Sequence, residues 1–247
     1  MTSVLKIGGN QLDDPAFIAG MAQIVARMPD LPVIVHGGGK GIKSLQEKLG
    51  IEPRYVDGLR VTDAATMEVV AMVLVGQANI SLVAALIKAG VQAQGFNGAD
   101  RWLLRGKKFQ HPGADLERVG EVAAVNTTVL KEALGAKVVP VIAPVLLGED
   151  GGFFNANADR AAGAVAAALN ADQVTFLTDV PGVLKDGSVI TEISRSDVQR
   201  LISDGVITGG MAVKLNAALD ALSAGVGKAR ITNLEGLAQN SGTLVLA

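Results

Sequence analysis

Short, nearly saturated apolar runs alternate with longer amphipathic ones along this chain. Ser3-Val4-Leu5-Lys6-Ile7, Pro32-Val33-Ile34-Val35-His36, Val91-Gln92-Ala93-Gln94-Gly95-Phe96, residues 138–147 and Gln173-Val174-Thr175-Phe176-Leu177-Thr178 read as strands. Several are apolar on both faces, as in a parallel sheet covered above and below. Helix-period segments separate them. Asp13 or Asp14 caps one begun by Pro15 and running to about Met28. Another follows Gly37-Gly38-Gly39 to Leu49, where Gly50 stops it. Thr62 or Asp63 caps a long one to about Ala89, Asn126 caps one to Leu134, and an alanine-rich one spans Asp159 to Leu169. Ser196 caps a helix to about Ser203, and Gly209-Gly210 opens the last, to about Ala224.

Residues 53–61 and the Asp186-Gly187 pair read as hairpins. Between 97 and 125 the pattern breaks into short β pieces at 102–104, 107–109 and 119–122. Arg230-Ile231-Thr232 and Thr243-Leu244-Val245-Leu246 are the closing strands. The longest apolar run, Val69 to Ile87, is interrupted by Gln77, Asn79 and Ser81. It reads as a buried or interface helix rather than a membrane span, which needs about 20 predominantly apolar residues.

Composition narrows the classes. The chain has 247 residues, 49% of them apolar and 19% charged, which supports one large α/β domain or two joined lobes. A net charge of -2 with no basic run argues against nucleic acid as a partner. Cysteine is absent, so no disulfide frame, thiolate metal site or thiol nucleophile exists. His36 and His111 are too few for a metal cluster, and no metal ligands are assigned. The amino terminus lacks a signal-peptide pattern, and a cytoplasmic protein is expected.

Candidate chemistry gathers at strand ends. Gly8-Gly9 and Gly37-Gly38-Gly39 each follow a strand, where glycine lets successive amides converge on one anion. Neither loop fits Gly-x-x-x-x-Gly-Lys-Ser/Thr or Gly-x-Gly-x-x-Gly. Lys6 sits inside an apolar strand, where an ammonium needs an anion unless it lies at a wet edge. Lys214 lies in the first turn of a helix, disfavoured by the dipole unless a phosphate lies there or the side chain is simply solvated. Asn155, Asn157 and Asp159 stand where a strand's carboxyl end meets a helix start, with Asn157 a helix cap. Arg60 is either a bidentate carboxylate grip or a surface partner of Asp57 or Asp63. His36 reads as packed, His111 as solvated.

Six stretches in order carry a resemblance to the amino acid kinase family. They are Leu5-Lys6-Ile7-Gly8-Gly9, Val35-His36-Gly37-Gly38-Gly39, Gly58-Leu59-Arg60-Val61-Thr62, Asn155-Ala156-Asn157-Ala158-Asp159, Thr178-Asp179-Val180-Pro181-Gly182-Val183 and Gly210-Met211-Ala212-Val213-Lys214. The resemblance implies a three-layer α/β/α sandwich with a mainly parallel central sheet. Residues 1–170 would form the acyl-substrate lobe and 171–247 the ATP lobe of one continuous domain. It implies transfer of the γ-phosphoryl of MgATP to the side-chain carboxylate of N-acetyl-L-glutamate, with magnesium carried by the nucleotide. Lys6 and Lys214 match the lysines that stabilise the moving phosphoryl group, and Asp159 the aspartate that holds them. Gly9 and Gly38 match backbone donors to the phosphoryl group or the acceptor carboxylate, with Gly39 beside them on the substrate side; Arg60 matches the grip on the α-carboxylate, and Asn155 and Asn157 the substrate side. Gly8, Asp179, Val180, Pro181, Gly182, Val183 and Leu184, with Val206, Ile207 and Thr208, match the nucleotide side. Arginine-inhibited hexameric relatives carry an amino-terminal helix that the pattern here lacks, so a homodimer is expected, joined through the 63–89 helix. A kinase for carrier-protein-bound α-aminoadipate and a non-catalytic sensor of the same fold are the alternatives.

Overall fold

The computed structural model describes residues 1–9 and 11–246. The first half runs β1 (Ser3–Ile7), α1 (Pro15–Val25), β2 (Val33–His36), α2 (Gly39–Lys48), β3 (Tyr55–Val56), β4 (Leu59–Arg60) and α3 (Ala64–Ala71). A π-helical segment, Met72–Asn79, joins α3 to α4 (Ile80–Lys88). Then come β5 (Ala93–Phe96), β6 (Leu104–Lys108), β7 (Val119–Val125), α5 (Thr127–Gly135), β8 (Val139–Ile142), β9 (Val145–Gly148) and β10 (Phe153–Ala156). The rest is α6 (Ala158–Ala168), β11 (Gln173–Leu177), β12 (Leu184–Lys185), β13 (Ser188–Val189), β14 (Glu192–Ser194) and α7 (Arg195–Ser203). It closes with α8 (Gly209–Ser223), β15 (Ala229–Thr232), α9 (Leu234–Gln239) and β16 (Thr243–Leu246).

Eight strands make one sheet in the order β14-β16-β15-β11-β1-β2-β8-β5. Neighbours are parallel except β15 and β16. Strand alternation sorts the side chains of β1 into two layers. Leu5 and Ile7 pack with Met21, Leu82 and Leu86 on the α1 and α4 side. Val4 packs with Ala161, Ala162 and Leu215 of α6 and α8 on the other. The expected α/β/α sandwich is therefore observed, and Lys6 shares the α6–α8 face with Val4. β1 lies between β2 and β11, so the loops after all three meet on one rim.

Several local expectations change. The run 138–147 is two strands in different sheets, broken at Ala143 and Pro144. β9 joins β6, β7 and β10 in a closed four-stranded barrel. So small a barrel cannot house a side chain at every inward position. A Cβ on Gly106 would lie 2.6 Å from Leu146 Cβ, and one on Gly120 2.5 Å from Phe154 Cβ. Residues 102–103 form turns, and the strand runs from Leu104. Ser194, not Ser196, caps α7, accepting from the Asp197 amide. Asn126 stands at the N-cap of α5 as expected, but its side chain makes no cap hydrogen bond; its Nδ2 donates to Arg101 O. His111 is mostly buried: Nε2 lies 3.1 Å from Asp57 Oδ2, tying its loop to the β3–β4 turn.

The long helix is continuous over Ala64–Lys88 and is apolar and long enough to cross a membrane by composition. One face packs on the protein through Val69, Val70, Val73, Leu82 and Leu86. The other leaves Met72, Ile80 and Ile87 more than half exposed.

Candidate active site

Each glycine loop is fixed by contact with the other. Gly37 N–H donates to Ile7 O at 2.9 Å, bridging the ends of β1 and β2. A Cβ on Gly9 would lie 2.6 Å from the Gly39 nitrogen and 2.7 Å from that of Gly38. Gly39 opens α2 and Gly38 caps it, so their amides belong to the helix end whose N–H groups lack intrahelical partners. The rim is thus a glycine-only seam with amides and a helix dipole directed at it.

A buried polar pair supports that seam. His36 is fully enclosed, with Nδ1 2.8 Å from Gly37 O and Nε2 3.1 Å from Asn79 Nδ2. Burial pushes the imidazole pKa down to about 4, despite the opposing pull of the Gly37 carbonyl. The ring is therefore neutral at pH 7. A carbonyl only accepts and an amide NH₂ only donates, so Nδ1 carries the proton and Nε2 accepts. Asn79 Nδ2 also donates to Val141 O at 2.8 Å, and Gly95 leaves the space its Oδ1 occupies. Asn79 ends the π segment, whose wider turn resets which side chains face the sheet.

Three charged groups from distant parts of the chain meet beside the seam. Lys6 Nζ lies 2.8 Å from Asp159 Oδ1, and Lys214 Nζ 3.5 Å from the same oxygen. Lys6 is 3% exposed and Asp159 7%. Asp159 sits in the first turn of α6, where Asn157 Oδ1 caps the amides of Asp159 and Arg160. Desolvation is the dominant effect on Lys6. It brings the pKa down to about 8, with Lys214 adding to the fall and Asp159 opposing it.

Two cavities share this place. One of about 220 Å³ is lined by Gly38, Arg60, Leu74, Val119, Asn155 and Asp159. The other, of about 390 Å³, is lined by Lys6, Gly8, Gln11, Thr178, Asp179 and Lys214. Gly9 and Gly39 belong to both walls. Arg60 makes no ion pair with Asp57 or Asp63 within 4 Å; Arg54 pairs with Asp63, at 3.2 Å. The Arg60 guanidinium instead lies 4.9 Å from the Tyr55 ring centroid, and its Nη2 donates to Gly39 O at 3.1 Å. Asn155 Nδ2 donates to Thr62 Oγ1 at 3.1 Å. Asn157 lines the smaller cavity, but its oxygen is spent on the α6 cap.

The nucleotide-side residues divide. Gly8, Asp179 and Val180 line the larger cavity. Pro181, Gly182, Val183, Leu184, Val206, Ile207 and Thr208 line neither cavity. Val183 and Ile207 are packed in the core, and Thr208 caps α8 through its backbone alone. Gln46, Tyr55 and Gln11 were not anticipated, and Thr178 entered only as the start of a matched stretch. Gln46 had a readable signal, since it lies four residues after Ile42 on the apolar stripe of α2.

The model of the amino acid kinase family matches residues 1–233. An acetylglutamate kinase from Roseiflexus castenholzii is 54% identical over 246 residues, covering 100% of this chain and 94% of its own. One from Methanopyrus kandleri is 45% identical over 98% of this chain and 99% of its own. A solved structure from Streptococcus mutans superposes with a TM-score of 0.86 at 33% identity, over 100% of this chain and 98% of that one.

Proposed function

The chain belongs to the amino acid kinase family, and on that premise we propose that it phosphorylates N-acetyl-L-glutamate, as its relatives' name states of them. It is an ATP-using phosphotransferase. The observation that carries the substrate reading is the meeting of two cavities at Gly9 and Gly39, with Lys6, Asp159 and Lys214 beside the seam.

The smaller cavity takes the acceptor and the larger takes the nucleotide. The acceptor's side-chain carboxylate, with an ordinary pKa of about 4.3, is already ionised at neutral pH. Its oxygen forms a bond to the γ-phosphorus while the bond from that phosphorus to the β–γ bridging oxygen breaks. ADP departs with the electron pair, N-acetyl-L-glutamyl 5-phosphate remains, and no proton has to move. Neutral, buried His36 fits a reaction that needs no base.

Such a transfer depends on positioning and neutralisation of spread charge. Lys6 and Lys214 supply two cations, and Asp159 anchors both through one oxygen. The amides of Gly9, Gly38 and Gly39 cradle the phosphoryl group and acceptor carboxylate. Arg60 takes the α-carboxylate, and Asn155 the acetamido group. Asp179, the carboxylate on the cavity wall, would face a Mg²⁺ brought by the nucleotide, which would supply further neutralisation. Residues 1–170 supply the whole lining of the acceptor cavity, while 178–180 and 210–214 close the donor side. The base of the nucleotide extends beyond Val180 towards residues 181–184 and 206–208. The enzyme works in the cytoplasm.

A side-by-side assay with ATP, following ADP, tests the substrate. Turnover on carrier-bound α-aminoadipate that equals or exceeds turnover on N-acetyl-L-glutamate would overturn it. Binding of both ligands with no ADP release would point to a sensor. Arg60→Ala should raise KM for the acyl substrate about 10- to 100-fold, as expected for charged hydrogen bonds worth about 1.5–3 kcal/mol. Saturated turnover should stay near the parent value, and an unchanged KM would remove Arg60 from the site.

The exposed Met72–Ile80–Ile87 stripe suits a second copy of the chain in a homodimer. Met72→Glu with Ile80→Glu should shift sedimentation from dimer to monomer, and a parent that sediments as a monomer refutes the assembly.

A further inference from the structure

We infer that Gln46 is a positioning residue that aims the Arg60 fork at the acceptor while leaving its charge uncompensated. The inference rests on the reading of Arg60 as the grip on the α-carboxylate.

Gln46 is entirely buried in α2, an unusual place for a carboxamide unless both its ends are used. Its Oε1 accepts from Arg60 Nη1. Its Nε2 donates to Thr66 Oγ1 at 3.1 Å. A guanidinium can only donate, so the amide oxygen must face Arg60 and the NH₂ must face Thr66. Thr66 is itself anchored, its amide donating to Asp63 Oδ1 at 2.8 Å at the start of α3. Gln46 therefore connects the fork to two helices.

The fork is held at three points. Gln46 takes Nη1, Gly39 O takes Nη2, and Tyr55 lies under the plane. Five donors less these two bonds leave three for a ligand, in a fixed plane. Gly39 also forms part of the phosphoryl seam, so the same contacts set the distance between the two ends of the acceptor.

The clamp is neutral, and this has a consequence. A glutamate at position 46 would offer the same acceptor geometry, but its charge would compete with the substrate's α-carboxylate. A methionine would match the volume but free the guanidinium to rotate. Both replacements should weaken the grip, for different reasons.

The test uses Gln46→Met, Gln46→Glu and Arg60→Ala with two acceptors. One is N-acetyl-L-glutamate. The other is 4-acetamidobutanoate, the same molecule without its α-carboxylate. Both Gln46 variants should raise KM for N-acetyl-L-glutamate about tenfold, the scale of one hydrogen bond to a charged group. Saturated kcat and KM for ATP should stay within about twofold of the parent, since the donor side is untouched. The preference for N-acetyl-L-glutamate over 4-acetamidobutanoate should shrink by the same factor. A purely structural role would weaken both acceptors alike. A parent-like preference in both variants overturns the inference on Gln46. A parent-like preference in Arg60→Ala overturns the underlying reading of Arg60, and the inference with it.

Discussion

Lys6→Met is expected to lower kcat by about 10²–10³-fold, the loss that follows removal of one preorganised donor to developing charge. Its stability relative to the parent should fall as pH rises from 7 to 10, on top of a constant loss from leaving buried Asp159 with Lys214 as its remaining partner. The two halves of this expectation have one cause. The strand places Lys6 against Val4 and the α6–α8 layer, where desolvation brings its pKa from 10.5 down to about 8. The folded state therefore binds the Lys6 proton less tightly than the unfolded chain does. Below pH 8 both states carry the proton, and the fold bears the full cost of a buried charge. Between pH 8 and 10.5 the unfolded chain binds more protons, so the parent gains stability as pH rises. Methionine does not titrate, so the stability of the variant relative to the parent should be highest near pH 7 and decline towards pH 10. Paired thermal melts at the two pH values check this. A relative stability of the variant that grows with pH contradicts it.

The same lysine sets the pH dependence of turnover. In the free enzyme, deprotonation near pH 8 removes one of two cations, so kcat/KM for ATP should fall above that pH. In the complex, the polyanion favours the charged form, so kcat should hold to higher pH. Parallel decline of the two parameters would place the titrating group elsewhere.

Gly9→Ala is expected to lower kcat/KM by about 10²-fold with the fold retained, the scale associated with a misplacement of about 1 Å at a reacting centre. The added methyl would meet two backbone nitrogens, those of Gly39 at 2.6 Å and Gly38 at 2.7 Å. No flexible side chain can yield there; one loop must move from the other. The displaced amides are the ones that define the seam between the cavities. Gly39→Ala is the control, because a Cβ there meets nothing within 4 Å. Equal losses in the two variants would mean that close approach of the loops is not the reason for glycine at position 9.

Much of the architecture is readable because the causes are local. Saturated apolar strands of five residues separated by helices leave little choice but a covered parallel sheet. Asp14, Asp63 and Asn157 cap helices as their residue types suggest, and Gly50, at φ +70°, ends α2. The barrel is not readable. The apolar run 138–147 continues through Pro144 without a change of period, and only the partners of β9 reveal that it has left the main sheet. The contact of His111 with Asp57 is not readable either, since Asp57 lies in another turn. The burial of Gln46 is readable from its place on the α2 stripe, but its contacts are not, since its partners come from a hairpin and from the next helix.

By itself, then, the sequence determined the layers, the glycine loops and the residue types able to hold phosphate, because periodicity and backbone freedom act over a few neighbouring residues. Only the tertiary structure decided that Lys6 and Lys214 share one oxygen of Asp159, that the two loops touch at Gly9, and that Arg60 turns away from the nearby carboxylates. Those outcomes depend on the packing of strands and helices brought together from distant parts of the chain. Charge pairing at 2.8–3.5 Å is a property of that packing rather than of any single segment.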